Sequence, residues 1–179
     1  MYSKIQASEA QQGGVWYWLE RQGADKRLVI GSADPAVTSG FAGEAAGGQF
    51  VAPLTPDNAA ALRGALPHLR PAKFGLAMSV GMGDRLGLCS PGHVAAVKAV
   101  GGHINPVFAQ QSVREMGRTN RTPRQVLDDA TWGALQGGWQ GAVGADADHL
   151  HTLEDIDRCV EAGFTFYTFD PNDHVNPEA

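Results

Sequence analysis

Charge is scarce in this chain, cysteine scarcer, and long apolar runs are missing. Charged residues make up 18% of 179, the net charge is -5, and no basic run stands out. A nucleic-acid binder would gather its Lys and Arg into a stripe, so that class is excluded. The longest basic stretch, Arg114-Glu-Met-Gly-Arg118-Thr-Asn-Arg121-Thr-Pro-Arg124, reads either as a solvated loop or as a clamp for an anionic substrate. No apolar segment approaches the roughly 20 residues that span a bilayer. Met1-Tyr-Ser-Lys-Ile-Gln6 lacks the apolar core of a signal peptide, so no membrane partner is expected. The only cysteines, Cys89 and Cys159, lie too far apart for a CxxC pair and are expected to be reduced, buried thiols in a cytoplasmic protein.

What is present is a globular composition, 43% hydrophobic, on a chain long enough for a real core. Residues 1–70 read as a small α+β region. Val15–Leu19 and Arg27–Ile30 are β-prone, the Gly-, Ala- and Ser-rich stretch from Gly31 to Gly48 suggests loops, and Thr55 with Pro56 opens a helix that Pro67 stops. His68 is expected at the surface. Residues 71–179 alternate strand and helix. The predicted strands are Phe74–Val80, Ile104–Ala109, Ala142–Asp148 and Phe164–Phe169. The helices between them open at Ser90-Pro91, at Thr122-Pro123 with an apolar stripe of Val126, Leu127, Ala130 and Ala134, and at Thr152 with Asp155 as an approximate capping box. Gly163 closes the last one.

Such alternation implies parallel strands joined by right-handed crossovers. The fold class is therefore α/β, with TIM-barrel-like (β/α) repeats amounting to about half a barrel behind a small α+β N-terminal region. Half a barrel exposes an unpaired apolar edge, which more chain, a partner or self-association would have to cover.

In parallel sheets function gathers at the C-terminal strand ends. Those ends read Gly83-Asp84-Arg85, Gln110-Gln111-Ser112, Asp146-Ala-Asp148-His149 and Asp170-Pro-Asn-Asp173-His174. The third is the densest. On a strand Asp146 and Asp148 share one face, and an acid beside an imidazole suits a divalent metal held next to a base. The competing reading makes one of these acids the cap of the next helix and leaves His149 at the surface.

Several long strings in order then resemble a known family. Ser79-Val-Gly-Met-Gly-Asp-Arg-Leu-Gly-Leu88, Ser90-Pro-Gly-His93, Val107-Phe-Ala-Gln-Gln-Ser-Val-Arg-Glu115, Arg118-Thr-Asn-Arg-Thr-Pro123, Leu127-Asp-Asp-Ala-Thr-Trp-Gly133, Gly144-Ala-Asp-Ala-Asp-His-Leu150 and Phe169-Asp-Pro-Asn-Asp-His-Val175 are similar to the tagaturonate/fructuronate epimerases. The match is dense from about Pro71 to Val175 and loose before that. The resemblance implies a TIM-barrel-like isomerase of hexuronate catabolism that interconverts D-tagaturonate and D-fructuronate with a divalent metal. By position it implies that Asp148 is the proton acceptor and His149 a metal ligand. The proton donor and the other ligands of that family fall beyond Ala179, so a truncated member with an incomplete site is expected. Arg85 would meet the substrate carboxylate, unless it bridges to Asp84. Gln110 and Gln111 would donate to sugar hydroxyls, and His174 would touch substrate or support the site. Carboxylate and imidazole ligands leave the metal open among Zn, Mn, Co, Ni and Fe. Two alternatives stand beside this reading. One is a non-catalytic module that binds metal or sugar acid; the other is a different metal-dependent barrel aldolase or isomerase.

Overall fold

A computed structural model describes residues 1–101, 103–171 and 175. Its first part is a 6-stranded antiparallel sheet built from β1 (Ser3–Lys4), β2 (Ala10–Gln12), β3 (Val15–Gln22), β4 (Asp25–Ile30), β5 (Glu44–Ala46) and β6 (Gln49–Pro53), in the order β1-β3-β4-β6-β5 with β2 also on β3. Two of its three tight hairpins turn on Gly-Gly pairs. Gly13 and Gly14 turn at φ 57° and 82°, and Gly47 and Gly48 at 60° and 81°, values that a side chain would resist. The second pair corrects the expectation of loops throughout 31–48, since β5 and β6 flank it. A short helix, α1 (Pro35–Thr38), also falls in that stretch. The next helix, α2 (Pro56–Ala65), starts as expected, with Thr55 Oγ1 accepting from Asn58 N at 3.3 Å.

The second part is a parallel sheet with the order β10-β9-β8-β7. Its elements are β7 (Ser79–Gly81), α3 (Ser90–Val100), β8 (Asn105–Ser112), α4 (Val113–Thr119), α5 (Pro123–Gln136), β9 (Gly144–Leu150), α6 (Leu153–Ala162) and β10 (Phe166–Phe169). This is the expected half barrel with helices. Three local expectations need correcting. The first strand shrinks to three residues, because Ala77 N bonds Phe74 O at 3.0 Å and bends the start of it into a turn. Ser90 is the first residue of α3 and does not cap it. Part of the basic stretch is helical, as α4, with Ser112 Oγ accepting from Glu115 N. The caps of α5 and α6 fall where expected, at Thr122 and at Thr152 with Asp155, and Gln125 completes a capping box at Thr122 that was not expected. Since Thr152 caps α6, neither Asp146 nor Asp148 does.

One continuous apolar cluster holds the two parts together, from Leu19, Leu28 and Ile30 to Phe108, Ala145 and Leu150. Each fully buried Leu or Ile in it contributes about 1.5–3 kcal/mol. The shared element is α5, which packs against β8 and α3 and also against α2 and β3. Arg63 of α2 reinforces that joint: its guanidinium donates to Asp128 Oδ1 at 2.8 Å and Thr131 Oγ1 at 2.9 Å, both on α5. Cys159 is buried, and burial pushes its thiol up to about 11, which leaves it unreactive. Cys89 is exposed, contrary to the expectation of two buried thiols; both are free. No helix among the described residues is long and apolar enough to cross a membrane.

The approach of α3 to α5 is close enough to reverse an ordinary rule. Gly133 lies inside α5, where Ala normally gains about 1 kcal/mol in helix propensity. A Cβ there would meet Ser90 Cβ at 2.4 Å. Overpacking of that kind costs about 1–3 kcal/mol, so Gly133→Ala is expected to lower stability in urea unfolding. A gain would mean that the two helices can separate at little cost.

Candidate active site at the strand ends

The exits of β7, β8 and β9 come together at the C-terminal end of the parallel sheet. The β7 exit is organised by the Asp84 carboxylate, which is 5% exposed. Its Oδ1 accepts from Leu86 N (3.3 Å) and Leu88 N (3.1 Å), and its Oδ2 from Cys89 N (2.7 Å) and Ser90 N (3.2 Å). Asp84 thus does the capping of α3 that Ser90 was expected to do. Burial alone pushes this carboxyl up. The bonds from Cys89, Leu88, Leu86 and Ser90 outweigh it, and the net position is below the ordinary value.

Nor does Asp84 bridge to Arg85, which was one of the two readings of that arginine. The Arg85 guanidinium pairs instead with Glu115 and is 70% exposed. The basic stretch separates by partner. Arg118 joins the same Glu115 at 3.4 Å, and Arg124 bonds Asp57 at 2.8 Å. Arg121 is nearly buried and donates to Asp84 O at 2.9 Å, to Asp129 Oδ2 at 2.6 Å and to Gln111 Oε1. Arg114 is exposed and has no partner among the described residues. Gln111, 3% exposed, spends its amide on Arg121, on Thr119 Oγ1 at 3.1 Å and on Arg85 O at 3.4 Å.

On β9 the register decides what faces what. Gln110 lies opposite Asp146 and Ser112 opposite Asp148 on the β8 side. On the β10 side Tyr167 pairs Ala147 but Phe169 pairs Leu150, so β9 carries one extra residue in that interval. This is a β-bulge. It is absorbed at His149, whose φ is +54°, one of two positive values on non-glycine residues among those described. In a regular strand Asp148 and His149 would point to opposite faces. Here His149 Nδ1 sits 2.7 Å from Asp148 Oδ1. In a neutral imidazole, a proton on Nδ1 toward the carboxylate leaves the lone pair on Nε2. The imidazole is about half exposed and Asp148 about one-fifth.

Asp148 and His149 line a cavity of about 180 Å³ together with Asp84, Arg85, Gln110 and Arg114. Asp146 lines a neighbouring cavity of about 430 Å³ on the inner face of the sheet, and Gln110 borders both. Asp146 accepts from Gln110 Nε2 and from Thr168 Oγ1, each at 3.0 Å. Burial pushes its carboxyl above the ordinary value. The Thr168 and Gln110 donors offset that only in part, and the charge on Asp148 adds to it.

Of the residues singled out in the sequence, Arg85, Gln110, Gln111, Asp148 and His149 come together around the smaller cavity. His174 and Asp173 lie outside the described residues. At the β10 exit Asp170 Oδ2 is 3.8 Å from His151 Nε2, a pairing of two strand ends that the local pattern did not contain. Arg121 and Thr168 carried no signal of their own, because each acts through partners 8 to 37 positions away. No group of three or more His, Cys, Asp or Glu able to hold a metal ion occurs among the described residues.

Comparison with known proteins adds the family. A family model described as tagaturonate epimerase matches residues 5–179. The tagaturonate/fructuronate epimerase of Thermotoga maritima is 42% identical over 177 residues, covering 97% of this chain and 36% of the relative. The native crystal structure of the fructuronate-tagaturonate epimerase UxaE from Cohnella laeviribosi superposes with a TM-score of 0.90 at 33% identity, covering 99% of this chain and 36% of that one. A glycerol complex of the same enzyme matches equally well, at 33% identity and TM-score 0.90. The chain thus spans about 36% of the length of these relatives.

The Asp84 cradle makes a pH-dependent forecast. Asp84→Asn keeps the shape but turns an amide N–H₂ toward backbone donors, at a cost of about 1–3 kcal/mol near neutral pH. A carboxylate with a lowered native pKa stabilises above its unfolded value of about 4 and loses that contribution as pH falls through the native one. The stability gap between wild type and variant should therefore be full at pH 7 and close in acid. A gap that persists in acid would assign the loss to packing.

Proposed function

The chain belongs to the tagaturonate epimerase family, and from that premise we propose that it provides the base-bearing strand end of a metal-dependent epimerase acting on D-tagaturonate and D-fructuronate. The observation that carries this reading is the Asp148–His149 pair at the β9 bulge, facing a polar cavity that Gln110 and two arginines also line.

The two ketouronates differ at the carbon two bonds from the ketone. Neither carbonyl group acidifies its proton, so removal and return of that proton is unattractive. A retro-aldol route avoids the problem. Asp148 takes the proton of the hydroxyl on that carbon through Oδ2, the oxygen that His149 leaves free. The C–O⁻ electrons form the aldehyde, the adjacent C–C bond breaks, and its electron pair passes into an enediolate. The aldehyde turns its other face, the bond re-forms, and Asp148 returns the proton. Arg114, unpartnered, is the better candidate for the substrate carboxylate; Arg85 would have to leave Glu115.

The same strand end would also serve a divalent ion. His149 fits as one ligand, since its Nδ1 is held by a carboxylate and Nε2 is free, the arrangement common around metal-binding imidazoles. A bound ion would supply Lewis acidity toward the substrate oxygens. The described residues do not complete a coordination set. A second reading is that the chain by itself binds metal or sugar acid without turnover. Free thiols and the sugar-acid substrate fit a cytoplasmic setting. Exposed Met78 and Val80 near β7, with Phe166 and Phe169 on β10, fit association through the open sheet edges.

Two measurements bear on this. Titration with Mn²⁺ should show His149→Ala binding at least about tenfold more weakly than wild type, given that even second-shell changes cost 10–100-fold; equal binding removes His149 from the site. For any turnover in D₂O, the inverted carbon should stay unlabelled. Stoichiometric deuterium there would rule out the retro-aldol route.

A further inference from the structure

Below the Asp148–His149 pair, the parallel strands place one residue each in a connected row: Gly81 on β7, Gln110 on β8, Asp146 on β9 and Thr168 on β10. The row is closely fitted. A Cβ at position 81 would come within 2.3 Å of Gln110 Oε1 and 2.5 Å of Nε2, so the amide fills the space a side chain would need. Asp146 is 5% exposed, and its two oxygens are each met by one donor at 3.0 Å, Gln110 Nε2 on Oδ2 and Thr168 Oγ1 on Oδ1.

A carboxylate offers acceptors alone, whereas a glutamine amide has a donor end and an acceptor end. Asp146 therefore claims the donor end. The acceptor end, Oε1, is committed to the other direction. No donor among the described residues reaches it, and it is not sealed in the interior. Gln110 also borders both cavities. We propose that Asp146 is a positioning residue that fixes the polarity of the Gln110 amide, so that Gln110 Oε1 accepts a hydrogen bond from a substrate hydroxyl. This rests on the epimerase reading and goes beyond it. Gln110 then reads a hydrogen-bond donor on the substrate, which reverses the role expected from the sequence.

The consequence is a specific kind of discrimination. Replacing a hydroxyl by fluorine keeps an electronegative atom of similar size but removes the O–H. A site that needs a donor rejects that analogue; a site offering an amide N–H₂ tolerates it. The experiment is an NMR titration of the isotope-labelled chain with D-fructuronate and with its monofluoro analogues, one hydroxyl replaced at a time. Wild type is expected to bind one analogue about 10- to 100-fold more weakly than the parent, the range for a buried acceptor left unpaired. Asp146→Asn, which can offer its own N–H₂ to Gln110 and release the amide to turn, should shrink that penalty to within about threefold. Gln110→Leu should abolish it while weakening the parent sugar acid. The Gln110 side-chain amide resonances should shift in Asp146→Asn without any ligand, which reports the amide's orientation separately from binding.

Penalties that persist unchanged in both variants, with the parent still bound, overturn this inference alone. So do amide resonances that do not respond to Asp146→Asn. A wild-type chain that binds neither D-fructuronate nor D-tagaturonate overturns the epimerase reading and this inference with it.

Discussion

From Ala145 to Asp148 strand β9 is paired in step with β8, while beyond Ala147 it runs one residue out of step with β10, and the open end of the parallel sheet depends on that mismatch. A left-handed conformation on a non-glycine residue costs about 1–3 kcal/mol and survives only where the surroundings fix it. Here both flanks do so. Before it, Asp146, Ala147 and Asp148 are held to β8; after it, Leu150 is buried and its carbonyl accepts from Asp170 N at 3.1 Å. With its ends tied, the extra residue has to turn at His149, and the imidazole comes round onto the acid beside it. A regular strand would have separated the two across the sheet.

Three carboxylates within this end of the sheet show how environment divides labour among identical groups. Asp84 and Asp146 are equally buried, yet their pKa values move in opposite directions. Asp84 receives four backbone N–H bonds and is held charged, as the centre of a loop. Asp146 receives two side-chain bonds and lies near another acid, so burial prevails. Asp148 is partly open to solvent and leans on one imidazole. Of the three, Asp148 alone combines access with a spare oxygen, the ground on which we propose it as the base. Separating acids by environment in this way is a recurring means of giving like residues different roles.

The arginines sort by the same logic. Arg63 and Arg121 are spent inside, tying α2 to α5 and the β7 loop to α5. Glu115 gathers Arg85 and Arg118 at the rim. What remains for an anion is Arg114, on the first turn of α4 and at the edge of the smaller cavity. A basic stretch that looked uniform as letters delivers one uncommitted cation to the site.

Much of the architecture was legible because its signals are local. Caps such as Thr152 with Asp155, the stop at Gly163, the apolar stripe of α5 and the alternation of strand and helix all act within a few residues, and they specified a half barrel, although β8 and β9 run past their expected ends to Ser112 and Leu150. The long strings around Asp148 and His149 likewise identified the family. The Gly-Gly hairpins were equally local and went unread. What no local pattern contained was partnership: that Asp84 would cap α3 from outside it, that Arg121 would be nearly buried, that Gln110 would donate its amide to Asp146, and that β9 would bulge. Each of these depends on which strand or loop, tens of residues away, is brought alongside. That is set by the packing of β7 to β10 against α5, and only the folded chain decides it.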